Sequence, residues 1–90
     1  MELAAFPGGD LVRAGLDDLA RGLHSEPALL VSIGAPRLRR LGIATAAPVP
    51  QPEAALYELL AARWGDGAHG RYNALVRRLV SFERAVAAAR

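Results

Sequence analysis

The last twenty-three residues, AHGRYNALVRRLVSFERAVAAAR, set apolar side chains at Tyr72, Leu75, Leu79, Phe82 and Val86, with Val76 beside them. On a helix of 3.6 residues per turn these positions form one stripe, which predicts a helix over about 68–88. At 1.5 Å per residue that helix is roughly 30 Å long. In a chain of only 90 residues, everything else must be spent on covering that stripe.

The rest of the chain is suited to doing so with helices. Hydrophobic residues make up 52% of the sequence and aromatic ones 6%, and most of the former are Ala and Leu. These two lead the helix scale, whereas the β-branched and aromatic residues that favour strands are scarce. The expected fold is all-α, a single helical domain over 1–90. It is an irregular bundle of four main helices plus one short helical turn, with a Pro-rich extended connection. A domain of this size buries only about 60–65% of its unfolded surface. With no cysteine to staple it, it depends on packing or on a partner.

Capping residues divide the chain. Asp10 as N-cap predicts a helix over about 10–23, with Leu11, Val12, Leu16, Leu19 and Leu23 inward and Arg13, Asp17 and Arg21 as an i,i+4 charge ladder outside. Ser25, with Glu26 and Pro27 behind it, caps a second helix over 26–34. Its segment ALLVSIGA is apolar nearly all round, the pattern of a buried central helix. Within it, Ser32 is expected to bond back to a helix carbonyl. Pro36 disfavours helical geometry in the residue before it, so a break and a separate turn over 36–41 are expected, with Leu38 and Leu41 inward. IATAAPVPQP then reads as an extended crossing with Ile43 and Val49 pinned to the core. Pro52 and Glu53 open a helix over 52–64 that buries Leu56, Leu59 and Leu60 and holds Tyr57 and Trp64 at its margin. GDG ends it, with Asp66 offered as the next cap.

All eleven basic residues are arginine, which together with abundant Ala, Gly and Pro matches the coding bias of a GC-rich bacterial genome. Charge is uneven: residues 1–34 hold five acids against two arginines, and residues 35–90 hold nine arginines against four acids. The candidate binding residues are therefore arginines. Arg37, Arg39 and Arg40 crowd the stretch GAPRLRRLG, where Arg37 and Arg40 share a side and Arg39 points away. Arg77 and Arg84 lie together on the back of the last helix. Arg71 and Arg78 line one flank of its stripe, and Glu83 sits on the other, close enough to the core edge to need a partner. A helix-turn-helix does not fit GAPRLRRLG. With Gly34 as the turn glycine, Leu30 occupies the small-residue position, Arg40 an apolar one, and Gly42 ends the second helix early.

The sequence offers little for catalysis. His24 and His69 have no ligand-spaced neighbours, so neither a metal nor another cofactor is expected. No serine triad, phosphate loop or paired carboxylate is present, and no catalysis is expected. The spacing of Arg63 and His69 resembles, over seven residues, the arginine-to-histidine spacing of the HEPN ribonucleases, although GDG separates the two here. The N-terminus MELAAFPGGD lacks the basic start and apolar core of a signal peptide, and no run reaches the ~18 apolar residues of a membrane span. A cytoplasmic location without membrane contact is the expectation. The expected function is a small bacterial protein–protein interaction module of adaptor or antitoxin-like kind, self-associating as a homodimer. The alternative is an arginine-mediated nucleic-acid-binding regulator. No small-molecule substrate is indicated.

Overall fold

A computed structural model describes residues 2–90, and every regular element among them is helical. A single 3-10 turn (Leu3–Ala5) leads into α1 (Gly9–Ala20). Then come α2 (Glu26–Arg40), α3 (Pro52–Trp64), a second 3-10 turn (Gly65–Gly67) and α4 (Ala68–Ala88). No helix of the described residues is long and apolar enough to cross a membrane.

The architecture is organised around α2. Its residues Ala28, Leu29, Leu30, Val31, Ser32, Gly34, Ala35 and Leu38 are all buried, as an all-round apolar pattern requires. Val12 and Leu19 of α1, Leu56 and Leu60 of α3, and Leu75, Leu79, Phe82 and Val86 of α4 join it in one cluster. The stripe that defines α4 is thus the stripe it buries. Phe6 sets its ring edge-on to Phe82, centroids 6.1 Å apart, and closes the core at the N-terminal side.

The expected break at Pro36 does not occur: α2 runs through it, and the arginine turn is its last part. A proline inside a helix costs about 3 kcal/mol, through the lost hydrogen bond and the clash with the carbonyl four residues back. Here Val31, Ala35 and Leu38, on both sides of the proline, are fully buried, and that burial more than offsets the cost. Pro36 itself faces solvent. What ends α2 is Gly42, in the left-handed region at φ 86°. Ile43 N donates to the Leu38 carbonyl at 2.9 Å and Gly42 N to that of Arg39 at 3.0 Å, the double closure of a Schellman turn. Buried Ile43 against buried Leu38 supplies its apolar contact.

The same turn at Gly22 ends α1 earlier than expected, with Leu23 N bonded to the Asp18 carbonyl. Leu23 is therefore 43% exposed and leaves the inward set. Asp10 is not the N-cap either. Gly8, at φ 73°, holds that position and Asp10 lies in the first turn, where its charge suits the helix dipole. The outer ladder of α1 is also different: Arg13 pairs with Glu2 and Arg21 with Asp18, and Asp17 takes part in neither.

Between α2 and α3 the connection lies extended over the core. Ser32 is the peg that holds it: its hydroxyl donates to the Ala28 carbonyl and accepts from Val49 N, both at 3.0 Å. Ile43 and Val49 pack on the core. Gln51, with φ 49°, turns the chain into α3. Asp66 does not cap α4, whose N-cap is Gly67.

Helix α1 approaches α2 at Gly15, where an added Cβ would overlap the Pro27 carbonyl and the Val31 side chain. Gly70 in α4 has nothing within 4 Å of the corresponding position. Opposite outcomes follow for the same substitution. Gly15→Ala should lose about 1–3 kcal/mol despite the better helix propensity of alanine, and Gly70→Ala should gain about 0.5–1 kcal/mol. Urea denaturation of the two variants beside the parent chain checks both signs.

Candidate binding groove

Most arginines in this chain are held by the fold. Arg37 Nε donates to Glu83 Oε1 at 2.9 Å, so the carboxylate at the edge of the α4 stripe finds its partner on α2. Arg63 and Arg71 both reach Glu26, at 2.9 and 3.4 Å. Arg78 pairs with Asp10 at 3.3 Å. Arg39 turns away from its neighbours and donates to Thr45 Oγ1 at 2.8 Å, fastening the connection to the end of α2. Of the seven candidate arginines, Arg37, Arg39, Arg71 and Arg78 are thus committed inside the molecule. Arg40, Arg77 and Arg84 form no ion pair among the described residues.

The uncommitted arginines do not share one face. Arg84 belongs to an open groove of about 570 Å³ between the end of α2 and the last turns of α4. It is lined by Arg37, Arg40, Leu41, Val80, Glu83, Arg84 and Ala87. Arg77, expected beside Arg84, lines instead a smaller cleft of about 350 Å³ with Arg78, Ser81 and the Pro7–Gly8 turn. Seven residues are almost two helical turns, and neighbouring elements cover α4 differently at the two levels. Arg90, outside that lining, donates to the Arg40 carbonyl at 3.0 Å.

Glu83 gives this groove its internal polarity. It is a buried carboxylate. Oε1 takes Arg37, while Oε2 is enclosed without a hydrogen-bond partner among the described residues. Oε2 lies over Gly34, 3.0 Å from where a Cβ would stand, so a glycine in α2 makes room for it. Because Glu83 neutralises Arg37, the positive charge left to the groove is that of Arg40 and Arg84. The rest of its lining is apolar: Leu41, Val80 and Ala87.

A second buried carboxylate, Glu26, ties the first turn of α2 to the end of α3 and the start of α4. Trp64 Nε1 donates to it at 3.5 Å, and Arg71 lies over the Trp64 ring with its guanidinium carbon 5.0 Å from the centroid. Burial pulls the Glu26 pKa upward, but hydrogen bonds from Arg63 and Trp64 and the charge of Arg71 outweigh it, leaving the carboxyl below its ordinary 4.5.

No known protein family, curated protein or solved structure matches this chain. The assignment of a role therefore rests on its own geometry. Arg63 is bonded to Glu26 at 2.9 Å, and His69 Nε2 lies 3.2 Å from Asn73 Nδ2. Tyr57 packs near His69 and Tyr72, with centroids 6.4 and 5.7 Å away, yet stays 41% exposed, and Trp64 is 51% exposed. The sequence placed these two rings at the margin of α3, and the structure leaves them largely outside the core.

Arg37 and Arg40 line one groove but differ in what they support. Arg37→Ala should cost about 1–2 kcal/mol, less than the 3–5 of a fully buried pair because half of the arginine side chain is in water. Arg40→Ala should stay within about 0.5 kcal/mol of the parent. Chemical denaturation of each variant measures the difference.

Glu26 predicts an acid response. A carboxyl whose folded pKa is depressed contributes stability above its unfolded pKa and loses it as pH falls through the folded value. Glu26→Gln should therefore be less stable than the parent at neutral pH, and the gap should close as the pH falls below about 4.5. Urea midpoints of both proteins at pH 7 and pH 3 check the convergence.

Proposed function

We propose that this chain is a non-catalytic binding module that takes an acidic, amphipathic helical segment of a partner protein into the groove between α2 and α4. The observation that carries this reading is the composition of the groove. Two guanidinium groups that the fold does not use, Arg40 and Arg84, line it together with the apolar side chains of Leu41, Val80 and Ala87. An apolar groove of this kind takes the apolar face of a helix, and flanking charges set its orientation and rate of encounter.

The nucleic-acid alternative draws less support. Each phosphate contact needs a cation that is free to make it. Here Arg37, Arg71 and Arg78 are already paired, and Arg40 and Arg84 open on a different cleft from Arg77. A duplex backbone calls for a row of such groups along one surface, not for pairs divided between two clefts.

A labelled synthetic helix with glutamates along an alanine–leucine face tests the reading. It should bind the protein and weaken as salt rises, while a counterpart with lysine for glutamate should not bind. Arg40→Glu with Arg84→Glu should weaken the acidic helix at least tenfold, about 1.4 kcal/mol or more. Failure of the acidic helix to bind, together with salt-sensitive binding of a short duplex, would overturn the proposal in favour of the alternative.

A further inference from the structure

Helix α3 raises a question the groove answers. Its sequence, PEAALYELLAARW, is rich in Ala and Leu, yet only Leu56 and Leu60 are buried. The side of α3 turned from the core exposes Ala54, Glu58 and Ala61, and on its α4 flank Glu53 and Tyr57 are exposed as well, Tyr57 packing near Tyr72 and His69. Alanines at 54 and 61 keep this face low, so another helix or a groove wall can come close to the backbone.

The charges separate in the same way. Glu2, Asp10, Asp18, Glu26 and Glu83 are occupied by arginines of the same chain. The acids outside those pairs are Asp17, Glu53, Glu58 and Asp66, and three of the four belong to α3 and the 3-10 turn that follows it. Arg63, the one basic residue of α3, is held on Glu26 at 2.9 Å. The outer face of α3 is therefore acidic with a low apolar surface, and the α2–α4 groove is basic with an apolar strip. They share no residue.

Building on the groove reading, we infer that the occupant of the α2–α4 groove is the outer face of α3 from a second copy of this chain, with Glu53 and Glu58 set against Arg40 and Arg84. The contact joins two different surfaces; made once per pair it is head-to-tail, and each copy keeps one groove and one α3 face to offer further copies. Such contacts close into rings or extend as chains. A two-fold dimer formed groove to groove would place Arg40 and Arg84 against their own counterparts, and the like charges would oppose it.

The test uses the full chain and two charge-reversal variants, Arg40→Glu with Arg84→Glu and Glu53→Arg with Glu58→Arg, all at exposed positions. By sedimentation at low salt, the parent should form species that grow past the dimer with concentration and shrink as salt is added. Each variant alone should be at least tenfold weaker in association. Mixing the two should restore assembly, because each supplies the surface the other needs; a misfolded variant would not be rescued. A parent chain that stays monomeric at high micromolar concentration overturns the inference. So does an α3 variant that assembles as well as the parent, or a mixture that remains monomeric. The groove reading stands or falls separately, on binding of the synthetic acidic helix.

Discussion

The structure depends on a helix that has no solvent side over most of its length. From Ala28 to Ala35, α2 exposes almost nothing, so its surroundings must be covered in every direction by a chain with few residues to spare. Helix α1 closes in through Gly15, α4 seats its buried stripe near Gly34, α3 brings Leu56 and Leu60, and the Pro-rich connection is pegged across by Ser32. Small residues on α2 and α1 are what allow such close approach. The same enclosure explains why Pro36 is tolerated within a continuous helix, since breaking α2 there would expose side chains on both sides of the break.

Two buried carboxylates mark the two ends of α2. Glu26, at its start, gathers arginines from α3 and α4, and Glu83 of α4 takes Arg37 near its end. Apolar packing is non-directional, whereas a carboxylate with fixed guanidinium partners has one satisfactory arrangement. The pairs therefore set how far α2 slides along α4, in a core otherwise built largely of interchangeable Leu, Val and Ala. They also consume three of the arginines that, counted from composition alone, suggest a basic surface.

What the fold leaves over is then more informative than what it uses. Arg40 and Arg84 line a groove with Leu41, Val80 and Ala87, and the unpaired acids Glu53 and Glu58 are exposed on α3. A chain this short has limited interior to bury apolar surface in, and contact between copies is a way to add to it.

The sequence by itself determined the helical class and the direction of the main faces. The stripe Leu75, Leu79, Phe82 and Val86, the enclosed segment of α2, the back-bonded Ser32, the Ser25 cap and the need of Glu83 for a partner were all readable. Each follows from periodicity or from the chemistry of neighbours a few residues away. Tertiary structure alone decided the continuity of α2 at Pro36, where distant packing outweighs a local preference. It also decided the partners of Arg37 and Arg71: Arg37 meets an acid 46 positions away and Arg71 one 45 positions away, separations across which no local pattern carries information. The groove itself is assembled from residues of the end of α2 and the last turns of α4, far apart in sequence, which only the tertiary fold brings together.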